Sequence, residues 1–566
     1  MALAGLDPAT TDSDAEDDTY SYWKDSSTLS EANIELASTW SSSCLNQHSR
    51  CGIDTNYTAP TRLIHVKGPH DLALEVSGGR ILPYLTLSYK WGDSKKYLTL
   101  AENIADHGKK IPFEALPKTF QDAVRVTRRL GFEYLWIDAL CIIHDSPEDL
   151  RKEISEMGSI YQASKITLFA EAGDDADAGL SVSRDPRSSK PCILDLRATL
   201  DSDTLEASRY ACYDPFSELE FPPAPASIYQ RGWVLQEEVL AQRLLKFGAR
   251  QIKWECQHGA FWESLPDEDD GSATLNSTHS ELRSWMYDRQ VPKDLDGREG
   301  REMFMRWGEL VENYCKRSLT YVNDVLPAIA GIASVFSRNN QLSYINGLWK
   351  EEFPLGLLWN VDDGHETDAS HRARPKVVDI TDAPSWTWLS KWGEPIEFQH
   401  EQLSREHRTV MIDQLGHPHD NIDDTNRSRD RTPSDQFINL QAVDARPLPL
   451  RGHLIKGDVQ LGSWSPRLPT AWGRCVTTHD TRENIGLFFP DSDPFKEPIL
   501  EITCCLCILS ETVGVGFFTY WWLALASTSQ PDVYRRVGMG RGTNNDKTQG
   551  LRSLWEAEGK ATFTLV

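Results

Sequence analysis

The chain has 566 residues, enough for two or three separately cored domains, and 59 Lys and Arg stand against 84 Asp and Glu for a formal net charge of −25. That balance excludes a nonspecific binder of nucleic-acid phosphates and disfavours anionic membrane surfaces, since both rest on neutralisation by Lys and Arg. The 19 Trp and 40% apolar content are enough to build real cores.

Residues 1–40, opening "MALAGLDPATTDSDAEDDTYSYWKDSS", read as an acidic disordered tail. No basic segment followed by an apolar core marks a secretory signal there. With 11 Cys, an odd number, the expectation is reduced thiols in the cytoplasm. A lead-in segment, 41–83, carries "CLNQHSRC", with Cys44, His48 and Cys51 spaced as three zinc ligands. A structural zinc needs a fourth, and no Cys or His close by in sequence supplies one, so buried Cys on a short helix and no metal are expected.

From Tyr84 the pattern becomes regular. "YLTLSY" is a strand and "KWGD" a turn. In "LPKTFQDAVRVTRRLG" the residues Leu116, Phe120, Ala123, Thr127 and Leu130 recur at helical steps, with Pro117 in the first turn and Gly131 just past the end. "EYLWIDALCII" reads as a second strand, "DSPEDLRKEISEMGSIYQAS" as a helix capped by Ser146 with Pro147 first, and "KITLFA" as a third strand. This alternation predicts an open α/β sheet.

Two carboxylates stand out. Asp138 falls where "YLWI" should end, and ligands of such sheets bind at the carboxyl ends of strands; capping backbone amides or pairing with a base explains it equally well. At about 100° per residue Glu153 lies inside the apolar arc of Leu150, Ile154, Met157 and Tyr161, either as a desolvated carboxylate in a cleft or as a salt bridge at the helix edge. In "RGWVLQEEVLAQRLLKFGARQIKWEC" a packing helix precedes two strands, and Arg231 with Glu237 fits a buried pair holding the segment to the sheet.

"YLTLSYKWGD", "LPKTFQDAV", "YLWIDALCIIHD", "EISEMGSIYQAS" and "RGWVLQEEVLAQRLLKFG", in this order, resemble the fungal heterokaryon incompatibility (HET) domain over residues 84–240. The resemblance implies a nonself-recognition effector that triggers programmed cell death, and a fold related to the Toll/interleukin-1 receptor (TIR) domain, an open parallel sheet with flanking helices. Enzymatic TIR domains cleave NAD at the nicotinamide bond with a Glu on the helix after the third strand. By order of elements the position implied here is Glu153, with Ser88, Trp91, Asp93 and Asp138 lining the pocket. NAD would be substrate rather than cofactor, and self-association and an unknown protein partner are implied. A non-catalytic signalling or recognition scaffold is the alternative.

This chain departs from the family in His144, where Gln is common, and in Glu238, where a base is common. Cys141 with His144 as a thiol hydrolase is disfavoured, because residues three apart on a strand face opposite ways. No G-x-G-x-x-G or P-loop is present.

Beyond the domain, 241–415 reads as mainly helical with loops, including a helix with Met303, Trp307, Leu310, Val311 and Tyr314 on one side. Residues 416–436 read as a mobile polar linker and 437–566 as a β-rich region, the whole an α+β C-terminal part. "VGVGFFTYWWLALA" is too short for a bilayer span of about 20 residues and is expected as buried strand. "CCLCIL", with Cys504, Cys505 and Cys507, is expected to pack rather than bind metal.

Overall fold

A computed structural model describes residues 2–5, 26–48, 51, 58–68, 71–92, 97–185, 192–199, 205–213, 226–264, 280–287, 292, 294–295, 297–353, 355–361, 383–399, 408–410, 413–414, 447–460, 474–478, 484–491, 501–512, 517–544 and 560–566. They divide into two compact units, Met1–Asp288 and Arg289–Val566.

The first unit contains β1 (Ala2–Gly5), α1 (Glu31–Gln47), β2 (Arg62–Val66), β3 (Leu72–Val76), β4 (Leu85–Ser88), α2 (Ile104–His107), α3 (Lys118–Arg129) and β5 (Tyr134–Trp136). There follow α4 (Asp138–Cys141), α5 (Pro147–Ala163), β6 (Ile166–Phe169), β7 (Cys192–Thr199), β8 (Leu205–Tyr213), α6 (Gly232–Leu240), β9 (Arg243–Phe247), β10 (Ile252–Cys256), β11 (Ala260–Trp262) and α7 (Ser280–Tyr287).

One eight-stranded sheet, β11-β10-β9-β6-β4-β5-β2-β3, organises the unit, and β1, β8 and β7 form a separate small sheet. The four inner strands β9, β6, β4 and β5 pair in parallel, while β2–β3 and β10–β11 add antiparallel edges. In chain order the parallel strands lie 2-1-3-4, so the order reverses between β4 and β6. In doubly wound sheets that reversal is where a crevice opens at the strands' carboxyl ends.

Opposite faces are covered by different helices, as two residues of β9 demonstrate. Arg243 and Lys246, three apart on a strand, face opposite ways. Arg243 Nε reaches Cys44 Sγ of α1 at 3.1 Å, whereas Lys246 Nζ pairs with Glu238 of α6 at 2.8 Å. Helix α1 packs with α3 on the first face, and α5 with α6 on the other.

Local signals explain the ends of these helices. Ser146 caps α5 by accepting from Asp149 N, and Pro147 opens it. Gly131 follows α3 at φ +81°, a conformation open to glycine without strain. The second strand is shorter than expected: β5 stops at Trp136, and Asp138 begins a single helical turn instead of continuing the strand.

Domain limits differ from expectation. The sheet takes β2 and β3 from the segment read as a lead-in, and β9–β11 from beyond residue 240, because the parallel core needs its edges covered. Residues 31–40, assigned to the tail, form the first part of α1; Ile34, Ala37, Trp40 and Cys44 supply a buried stripe that the polar composition masks. Ala2–Gly5 pairs with β8. Residues 6–25, and the linker expected at 416–436, lie outside the described residues.

In the second unit, α8 (Arg298–Cys315) buries Met303, Trp307, Leu310, Val311 and Tyr314 as its periodicity predicts, and α9 spans Pro327–Asn340. Trp307 packs edge-on against Trp349 at 4.8 Å. A nine-stranded sheet built of strands between Arg408 and Leu565 completes the unit. Its strand Phe517–Ser527 buries Trp521 through Leu525 in succession, so both faces are covered. Cys504, Cys505 and Cys507 lie on the strand Glu501–Thr512, and the packing of their side chains lies outside the described residues. Among the described residues no helix is long and apolar enough to cross a membrane.

Candidate functional site

The carboxyl end of the first parallel strand supplies the centre of the site. Ser88, the last residue of β4, is fully buried, and its hydroxyl makes no hydrogen bond of ordinary geometry. The turn after it is set by Gly92 at φ +65°, where a Cβ would stand 2.4 Å from the Asp175 Cβ, so only glycine lets the turn approach the loop after β6. That turn carries Trp91 over the end of β5. Its indole Nε1 donates to Asp138 Oδ2 at 2.7 Å, and the other oxygen accepts from Ala139 N at 2.7 Å. Asp138, the first residue of α4, thus accepts from the next amide of its own turn and is a fixed acceptor for the Trp91 ring. His144 meets the same ring edge-on at 5.3 Å.

Glu237 of α6, 4% exposed, completes the cluster. Burial pushes its pKa up to about 7; Arg231 and then the hydroxyls of Ser88 and Tyr161 favour the charged form, and Asp138 opposes it. Arg231, the residue before α6, donates to the Tyr89 carbonyl, and Tyr161 OH donates to the Leu87 carbonyl at 3.1 Å. Burial, then the neighbouring Asp138, raises the Tyr89 phenol; burial, then Glu237, raises that of Tyr161. Both phenols are therefore neutral donors at the end of β4. Two carboxyl groups, three hydroxyls and one guanidinium converge beside the β4–β6 reversal.

Of the expected site residues, Ser88, Trp91 and Asp138 come together here, and Asp93 lies outside the described residues. Glu153 does not join them. It is buried, 1% exposed, as the helical wheel requires, but its carboxyl stands 3.9 Å from Arg62 Nη2 at the start of β2. Arg62 also donates to Asp149 Oδ2 at 2.5 Å and to the Cys141 carbonyl at 2.7 Å. Burial raises the Glu153 pKa, against Thr61 and Arg62, which favour its charge. This knot ties α5 to the antiparallel edge of the sheet.

The resemblance implies a Glu on the helix after the third strand, and the helical wheel independently puts Glu153 on the buried side of its helix. α5 follows β5, the second parallel strand; the helix that follows β6, the third, is α6, which carries Glu237. The β7–β8 hairpin between β6 and α6 conceals this succession in the sequence. Glu237 was singled out there only as a structural partner of Arg231.

Two other groups resolve by burial. Cys141 is fully buried and its thiol is pushed up to about 12, chiefly by desolvation, so it is no nucleophile near neutral pH. Glu238 pairs with a base from β9: Lys246 lies 2.8 Å from both Glu238 and Glu255.

A groove of about 460 Å³ between α1 and α3 lies on the other face of the sheet. In it Lys118 and Arg125 pair with Asp122 and Arg129 with Glu31, and it contains neither Glu153 nor Glu237. The cluster of Ser88, Asp138 and Glu237 lies at the strand ends instead.

No curated protein and no solved structure matches the chain. Residues 84–237 match the family model described as "Heterokaryon incompatibility protein (HET)", a span running from the start of β4 to Glu237. The chain carries a domain of the heterokaryon incompatibility family.

Proposed function

We propose that the HET domain hydrolyses the nicotinamide N-glycosidic bond of NAD, with Glu237 in the role first assigned to Glu153, and that the protein acts through this as a cell-death effector in nonself recognition. The carrying observation is a buried carboxyl, pushed up to about 7, beside the buried Ser88 hydroxyl at the reversal point of a parallel sheet. The 2-1-3-4 order is that of doubly wound sheets whose ligands bind at the reversal.

The C1′–N bond breaks with its electron pair leaving on nicotinamide, and positive charge develops on the ribosyl ring. Ionised Glu237 stabilises that charge or orients the ribose hydroxyls; water then adds to C1′ and releases its proton. Ser88 offers a hydrogen bond to a ribose hydroxyl, and the Trp91 ring offers a stacking surface, held by Asp138. Because Glu237 is closed from solvent, catalysis requires the site to open, and self-association is the event the TIR resemblance offers for this.

The full chain, incubated with NAD over a range of protein concentrations, tests the reading through nicotinamide release. Release by the native chain and by Glu153→Gln, with none from folded Glu237→Gln, is expected. A scaffold is the second reading, favoured by the engagement of both Asp138 oxygens in internal bonds. Absence of release from folded, self-associated protein would establish it.

A further inference from the structure

The segment "CLNQHSRC" lacks a fourth ligand only in sequence. In the fold, Cys256 at the end of β10 comes to it, 208 residues on from His48. Cys44, His48, Cys51 and Cys256 present three sulfurs and one imidazole nitrogen, all within 4.8 Å of one another and all buried. We infer that these four residues bind a single zinc ion, which fastens α1 to the β10–β11 hairpin.

The geometry is that of a small tetrahedron. With Zn–S near 2.3 Å and Zn–N near 2.0–2.1 Å, the ligand-to-ligand edges should be about 3.5–3.8 Å. His48 Nδ1 stands 3.6 Å from Cys256 Sγ and 3.9 Å from Cys51 Sγ. Cys44 and His48 are four apart at the end of α1, hence on one side, and Cys51 returns through a backbone bond from its N to the His48 carbonyl at 3.1 Å. The turn that carries Cys256 is closed by its own N bonding the Gly259 carbonyl at 2.9 Å.

The surroundings suit the charge of such a centre. Three thiolates around a divalent ion leave one net negative charge, and Arg243, 3% exposed, donates to Cys44 Sγ at 3.1 Å and to the Cys51 carbonyl at 2.5 Å. Such outer donors orient ligands and offset thiolate charge. His258 stacks on the His48 ring at 4.1 Å and fixes its plane. Soft thiolate with imidazole, and no carboxylate, selects zinc over magnesium or calcium. All four positions come from the protein, so the site is structural. It is also remote from Glu237, since α1 and α6 cover opposite faces.

Zinc measured in the full chain, purified under reducing conditions without added chelator, should be about one ion per chain. Cys256→Ser should lose most of it, whereas His48→Cys, which keeps four soft ligands, should retain it, as should Cys315→Ser in the second unit. Cobalt taken up in place of zinc should show the visible bands of tetrahedral thiolate coordination, shifted in His48→Cys. Should Cys256→Ser fail to fold, the cobalt spectra of the native chain and His48→Cys decide alone. A folded native chain that holds no stoichiometric zinc and gives no such cobalt spectrum overturns the site. So does a disulfide among Cys44, Cys51 and Cys256 in that preparation.

Discussion

Replacing Glu237 by Gln separates its ionisation from its shape. In the folded chain its pKa rises from 4.5 to about 7, mainly by burial. Between those values the folded state keeps a proton that the unfolded chain has released, so stability is fully present below 4.5 and is lost as pH rises through 7. The shift corresponds to about 3 kcal/mol, at about 1.4 kcal/mol per pH unit. Gln has no such dependence, so the stability gap between variant and native protein should move by about 2.5 kcal/mol in favour of Gln between about pH 5 and pH 8. Urea denaturation followed by tryptophan fluorescence measures that gap at each pH. Glu153 and Glu312 also have raised pKa values, but they are present in both proteins and cancel in the difference. A gap constant across this range would refute the reasoning: Glu237 would then be ionised throughout, held by Arg231 as a structural pair, and unsuited to a proton-sensitive site.

Glu153→Gln should leave nicotinamide release within about threefold of native while changing stability by about 1 kcal/mol, which parallel kinetics and denaturation would check. Lys246→Met removes the ammonium shared by Glu238 and Glu255, so it should cost about 3–5 kcal/mol near neutral pH, less in acid where the carboxyls protonate, as read from thermal unfolding against pH. In the second unit Arg536 lies 3.5 Å over the Trp359 ring and 2.9 Å from buried Asp491. Arg536→Ala should therefore destabilise by about 3–5 kcal/mol, and Asp491→Asn added to it should recover part of the loss; no recovery would mean that stacking and carbonyl bonds, not the ion pair, carry the effect.

Much of the domain is legible locally. The caps of α5, the glycine after α3 and the apolar runs of β4 and β6 follow from nearest-neighbour sterics and period, which a sequence displays directly. Burial of Glu153 was legible too, because a helical wheel reports which side a residue faces. It cannot report what waits on that side: the wheel could not distinguish Arg62 on β2 from Ser88 at the end of β4. Glu237 was hidden because the β7–β8 hairpin interrupts the succession from β6 to α6. Strand order, which decides where a crevice opens, depends on pairing between remote segments.

The cysteines divide in the same way. The sequence alone determined that Cys44, His48 and Cys51 share one short stretch, because helix and turn geometry link residues a few positions apart. Only the tertiary structure decided that Cys256 joins them. That meeting depends on α1 packing across β10, a contact driven by apolar burial and specified by no local pattern. Composition likewise determined charge and class, while the folding of residues 31–40 onto the sheet depended on one buried stripe finding its partner.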